Sequence, residues 1–344
     1  SETVEILELG HNGDGLAKLR DGTNRFIPYT LAGEIVKISY TKNDFSLIKV
    51  QRASKDRIKP ICKYFTTCGG CKTQQMTLHM YQLWKRGTIE KALINQGLNI
   101  HVDPLINAHG QGRRRVSFHA KRDKNQIFAG LMKYRSHEIL NIENCPILVP
   151  ALSSGIKIVR DLARIMPIHS KPIDVQLTMS ESGIDCNINN FPAQLSELFT
   201  VITELANKHN TARISLNREV IVERNPPIIS IDSAKVVLPP GSFLQATVEG
   251  EKIISEIVLE YARDALHIAD LYCGIGTFAI RMAKKTKVTV REAIEHIQNK
   301  NSIALMVDQR VSEGEKINLF NKPALTTTLP AQLALKYKLE IIPV

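Results

Sequence analysis

The chain of 344 residues has only six cysteines. It shows no apolar N-terminal signal core, and no stretch nears the roughly 18 continuous apolar residues of a membrane helix. Those absences argue against a disulfide framework and a membrane span, and lead us to expect a reducing, cytoplasmic setting. The Gly-rich turn near residue 274 lacks the full G-x-G-x-x-G pattern, which favours a ligand without a pyrophosphate.

What the sequence does have is uneven. Its formal charge is +11. Residues 51–150 hold 17 Lys and Arg against 6 Asp and Glu, and the flanking regions are nearly balanced, so this segment carries the whole surplus. A segregated basic zone marks a surface for a polyanion, and nucleic acid is the expected partner. Its densest part comprises Arg113, Arg114, Arg115, Lys121, Arg122 and Lys124. They interleave with Val116, Phe118 and His119, which predicts a strand presenting cations on one face.

The same zone contains Cys62, Cys68 and Cys71 in ICKYFTTCGGCKTQQ, and Cys145 in ENCPILVP. Three clustered thiols plus a distant one beside proline is the ligand pattern of an iron–sulfur cluster. Gly69 and Gly70 let the loop turn sharply. Structural zinc also takes four thiolates, but usually as two C-x2-C knuckles, and the second knuckle is missing here. Cys186 and Cys273 read as small buried residues.

The expected fold class is α/β multidomain. Residues 1–58 read as short strands broken by HNGDG, RDGTN and LAGE turns, a five-stranded barrel of the oligonucleotide-binding type. Residues 59–230 form a central α+β domain with the cysteine loop and the basic strand. Its first helix, 77–97, starts at Thr77, stops at Gly97, and can pack on the C-terminal domain. Helices are expected over 151–166 and 192–209, with a hairpin around Glu181–Gly183. Residues 231–290 read as the start of a Rossmann-like domain: a helix over 250–263, a strand ending at Asp270, a turn with Gly274 and Gly276, and a helix from about Thr277. Residues 291–344 change character.

Over about residues 1–290 these motifs together resemble the iron–sulfur, S-adenosylmethionine-dependent RNA uridine-C5 methyltransferases. The barrel resembles their TRAM domain, the cysteine run with NCPIL their cluster ligands, LPPGSFLQA their F-x-Q segment, and DLYCGIGTF their first cofactor motif. The resemblance implies a [4Fe–4S] cluster on Cys62, Cys68, Cys71 and Cys145, and S-adenosylmethionine at Gln245 and Tyr272 with Gly274 and Gly276 shaping the loop. It also implies an RNA substrate, 23S rRNA ahead of tRNA. The family's chemistry needs a thiolate to attack C6 of uridine and a base to remove the C5 proton. Its thiol lies in an S-C-N-P motif after D-P-P-R; neither motif is present, and no cysteine follows Cys273. No catalytic residue is therefore assigned, Glu292 is out of step for the ribose acid, and the expectation is a truncated, inactive enzyme.

From about residue 291 the chain resembles an internal piece of the lauroyl acyltransferases of lipid A synthesis, through MVDQ, EGEK…LF, KPALTTT and PAQLALKYKLEIIPV. That family's H-x4-D/E pair is absent, and His296 does not supply it. Three functions follow as expectations: a methyltransferase by lineage, a non-catalytic RNA-binding iron–sulfur protein, or an acyltransferase fragment. If the tail completes a sheet, 302–307 and 339–344 are its expected strands.

Overall fold

A computed structural model describes residues 1–41, 45–124, 126–168, 171–191, 195–265, 268, 270–283, 315–319 and 322–326, with 195–198 and the last two segments as backbone alone. The expected strands at 302–307 and 339–344, the residues around 290, Glu292 and His296 lie outside the described residues.

The chain begins with β1 (Glu2–Leu9), β2 (Gly15–Lys18), β3 (Asn24–Ile27), β4 (Ile35–Tyr40) and β5 (Phe45–Arg52), paired antiparallel in the order β3-β2-β1-β4-β5. Alternate residues of β1 turn inward, as a curled one-sided sheet requires; Val4 and Ile6 join Ala17, Leu19, Ile27, Val36 and Ile38 in its core. Gly15 is dictated by packing, since a Cβ there would sit 2.5 Å from the Ile6 side chain. Buried Glu34 accepts from Arg57 and from the Leu31 and Ser54 amides, which ties the sheet to the chain leaving it.

Helix α1 (Leu78–Ile94) starts where expected: Thr77 accepts from the Met80 amide at 3.3 Å. It ends as expected too, with Gly97 at φ 78° and the Leu98 amide bonded back to the Leu93 carbonyl. No residue of α1 is buried. Its described contacts lie with the barrel: Trp84 Nε1 donates to the Gly10 carbonyl at 2.9 Å, and Lys91 pairs with Glu8.

The central unit is one seven-stranded sheet. In chain order come β6 (Arg115–Asp123), β7 (Gln126–Met132), β8 (Ile139–Asn141), helices α2 (Pro150–Ser154) and α3 (Ile156–Ile165), β9 (Ile173–Ser180), β10 (Gly183–Asn189), α4 (Leu195–Lys208), β11 (Arg213–Leu216) and β12 (Glu219–Glu223). The strand order is β12-β11-β10-β9-β6-β7-β8, antiparallel except for β10–β11, the pair that α4 joins as a crossover. One face packs on the helices, where Phe118, Ala120, Leu152, Ile156, Val159 and Leu162 are fully or almost fully buried.

A second hairpin follows, β13 (Ile228–Ile231) with β14 (Ala234–Val237), then α5 (Val248–Tyr261), capped by Thr247, and the short α6 (Ala279–Ala283). Ile229, Ile231, Leu238, Leu244 and Ile275 form a small core that fastens the Gly-rich turn to this hairpin. The expected strand ending at Asp270 is interrupted by residues 266, 267 and 269, which lie outside the described residues, and the described Ile268 and Asp270 are not in a strand. In the tail the described backbone is a hairpin, β15 (Glu315–Leu319) with β16 (Lys322–Thr326).

Candidate cofactor sites and nucleic-acid interface

The cysteine loop is set by turns rather than by regular structure. Amides donate to its sulfurs: Tyr64 N–H to Cys62 Sγ and Gly70 N–H to Cys68 Sγ, both at 3.4 Å. Cys62 N–H donates to Gln74 Oε1 at 3.1 Å. The loop is pinned to the end of β7, with Gly69 N–H donating to the Met132 carbonyl and Tyr134 N–H to the Thr67 carbonyl. Cys145 arrives on the segment after β8, which lies beside Arg113 through Arg113 N–H to Ile147 O and Val149 N–H to Arg113 O.

The four thiols lie within electrostatic reach of one another. Burial pushes the Cys145 thiol up to about 11, opposed by the Ile147 amide and reinforced by Cys71, Cys62 and Cys68. Burial also raises Cys68 and Cys71. Among the described residues, no group of three or more His, Cys, Asp or Glu is arranged to hold a metal ion as it stands. Cys186 lies fully buried in β10, and burial raises its thiol well above the usual range.

The Gly-rich turn places Tyr272 at φ 62°, Gly274 at φ 58° and Gly276 at φ 82°. A Cβ on Gly274 would meet nothing within 4 Å, so the backbone there is open to an approaching ligand. Asp270 accepts from the Ala279 amide at 2.9 Å, which caps α6, and burial raises its carboxyl. Leu244 and Ile275 share one small core, so the residue before Gln245 packs with the turn.

The basic strand is more divided than its sequence implies. In β6 the even positions Phe118 and Ala120 face the helices, so Arg115, Ser117, His119 and Lys121 share the opposite, helix-free face. There His119 bonds Asp174 at 2.7 Å, and Arg115 lies 4.3 Å from the Phe243 ring centroid, a cation–π pair. Arg113 is exposed. Two expectations need correction. Arg114 is 7% exposed and turned inward: it pairs with Glu251, and donates to the Gln245 carbonyl at 3.2 Å. Arg122 donates to the Arg164 and Met166 carbonyls, where it satisfies the end of α3.

Sequence reasoning missed the network that Arg114 opens. Glu251 also binds Arg281 at 3.1 Å, and Arg281 binds Asp232 at 3.0 Å. A single buried carboxylate thus joins the basic segment, the Gln245 loop and α6. One available signal was Glu251 in the first turn of a helix whose neighbours are apolar. The Arg115–Phe243 contact had no signal beyond the F-x-Q segment itself.

Comparison with known proteins gives two family matches: the TRAM domain over residues 2–43, and the bacterial lipid A biosynthesis acyltransferase over residues 277–344. Among curated relatives, an uncharacterized RNA methyltransferase of Brucella melitensis is 33% identical, aligned over 95% of this chain and 79% of its own. One of Rhizobium meliloti is also 33% identical, over 96% and 81%. The 23S rRNA (uracil(1939)-C(5))-methyltransferase RlmD of Vibrio parahaemolyticus is 24% identical, over 93% and 74%. The Brucella alignment therefore runs into residues that the acyltransferase family also matches. In fold, the chain resembles the Pyrococcus abyssi tRNA (uracil-54, C5)-methyltransferase solved with S-adenosyl-L-homocysteine, with TM-score 0.58 and 18% identity over 91% of this chain and 81% of that one. With its TRAM domain and relatives of this length and identity, the chain belongs to the RNA methyltransferases.

Proposed function

We propose that the chain derives from a uridine-C5 methyltransferase acting on 23S rRNA, and that these 344 residues bind RNA and cofactor without completing methyl transfer. The observation that carries the second half is the fate of the six cysteines. Attack on C6 needs an accessible thiolate. Four thiols are committed to the loop and the segment after β8, and Cys186 is sealed in the sheet. Cys273 lies in the Gly-rich turn itself, beside the backbone that the cofactor needs.

S-adenosylmethionine, when bound, supplies an electrophilic methyl group. Gln245, Tyr272, Gly274 and Gly276 are the residues to hold it, and the open backbone at Gly274 supports that placement. Cys62, Cys68, Cys71 and Cys145 fit a [4Fe–4S] cluster: four soft donors, two of them already receiving amide hydrogen bonds. Four protein ligands leave no open iron site, which makes the role structural or RNA-orienting. RNA lies along the helix-free face of the central sheet, where Arg115 and Lys121 supply charge and Phe243 a stacking surface.

The match of residues 277–344 to the lipid A acyltransferases favours a second reading of the tail alone, as a joined fragment of that family. A single protease-stable core spanning 230–344 would argue against such a junction.

The direct test is methyl transfer from labelled S-adenosylmethionine to uridine in 23S rRNA by the purified, cluster-loaded chain. We expect RNA binding, weak cofactor binding and no C5-methyluridine. C5-methyluridine formed by this chain would overturn the inactivity, and its loss in Cys273→Ser or Cys186→Ser would identify the nucleophile.

A further inference from the structure

Beside the cysteine loop lies a cleft of about 570 Å³, lined among others by Gly69, Gly70, Lys72, Lys133, Arg135 and His137. Among the described residues, no carboxylate lines it. Acidic groups stand close by. Glu138 pairs with Lys133, but Glu138 is largely exposed and Lys133 half-exposed, so a polyanion can compete for the lysine. Asp14, almost fully buried on the barrel turn, lies 3.4 Å from Arg135 and also feels Lys72 and His11; it holds the arginine from behind.

Two features indicate that these cations are placed rather than scattered. Arg135 has φ 49°, a left-handed backbone that costs energy for a residue with a side chain. Glycine would serve that turn with less strain, yet the turn carries a guanidinium. The turn is also locked to the cysteine loop. Gly69 N–H donates to the Met132 carbonyl and Tyr134 N–H to the Thr67 carbonyl, both at 2.9 Å, and Cys68 bridges Lys133 as in a sheet. A Cβ on Gly69 would lie 3.2 Å from the carbonyl oxygens of Met132 and Lys133, so the two backbones touch.

We propose that this cleft binds the phosphodiester backbone of the RNA substrate, at a second place distinct from the Arg115–Phe243 surface, and that the cysteine loop fixes its geometry. The chemistry is sequence-independent. Lys72, Lys133 and Arg135 meet phosphate oxygens, while the Tyr134 ring packs against Tyr29 at 5.2 Å and Arg135 at 5.1 Å, so the cleft offers charge rather than a stacking platform. The proposal rests on the RNA-binding reading above.

The test is fluorescence anisotropy of a labelled RNA stem–loop with the cluster-loaded full chain across a salt series. Combined Lys72→Gln, Lys133→Gln and Arg135→Gln should lower the slope of log affinity against log salt by about two and weaken binding about tenfold or more at physiological salt. Melting temperature and iron absorption should stay unchanged. Lys157→Gln, on the outer side of α3, should leave the slope unaltered. Glu138→Gln should tighten binding about threefold, a gain that misfolding cannot mimic. Removing the cluster with a chelator should reproduce the loss of slope. An unchanged slope in the triple variant would overturn the cleft and leave the RNA-binding reading intact. Absence of RNA binding by the parent chain at low salt would overturn both.

Discussion

The central sheet and the segment from Leu238 to Ala283 each position a candidate cofactor site, with very different resources. The cysteine loop is cross-braced. Its amides bond to β7 and its neighbours, its fourth thiol comes from beyond β8, and the whole rests on a core in which Phe118, Leu152, Leu162, Val175 and Leu177 are fully buried. Among the described residues, the Gly-rich turn hangs on a five-residue core around Ile275 and on three carboxylates: Glu251 (shared by two arginines), Asp232 and Asp270. In the first region many weak contacts share the work, and one loss is tolerated. In the second, few groups among the described residues hold the turn, so single changes should propagate.

The sharpest test of that contrast is Cys145→Ser. Removing the distant ligand should abolish most cluster incorporation, read as loss of visible absorption and bound iron, while the sheet still folds. If the sheet melts with it, the central unit is not the self-supporting region described here. Next comes Arg114→Leu. It leaves Glu251 buried with Arg281 as its remaining cation, and breaking a buried pair costs about 3–5 kcal/mol. The expected readout is early proteolysis within 238–283 with the central sheet still protected.

A smaller effect should come from Asp161, which links α3 to α4. Burial works against its ionisation, but hydrogen bonds from Lys208 and His209 and the charge of Arg164 prevail and hold its carboxyl below the usual range. A depressed folded value means that this stabilisation is complete above the unfolded value near 3.9 and is lost as pH falls through the folded one. The stability gap between the parent and Asp161→Asn should therefore be constant near neutrality and close on acidification, measured by denaturant melts across pH. Smallest of all should be Gly274→Ala. The added methyl meets open space, but φ 58° costs about 1 kcal/mol for a residue with a Cβ. Cofactor affinity by calorimetry should fall, with global stability barely moved.

Much of the first region was legible because its signals are local. The C-x5-C-x2-C spacing, the Thr77 start and Gly97 stop of α1, and the Glu181–Gly183 turn all depend on a few adjacent residues. The alternation in RRRVSFHAK was legible as a strand, but its phase was not. Which of Arg113, Arg114 and Arg115 turns inward depends on where Glu251 sits, more than a hundred residues away. The same limit hid the Phe243 platform and the cleft beside His137, since each is assembled from segments that meet only in the folded chain. Beyond Ala283 the described residues give only the β15–β16 hairpin, and the motifs read there remain a matter of resemblance.

Trp84 is the sole indole in the chain, and its ring N–H is spent on the Gly10 carbonyl while Gly13 and Thr73 crowd close by. Its emission therefore reports on one seam, where the barrel turn meets the first helix. A shift in that colour during RNA titration would mean that the N-terminal barrel rocks when the substrate docks. A steady signal would mean that it behaves as a fixed wall.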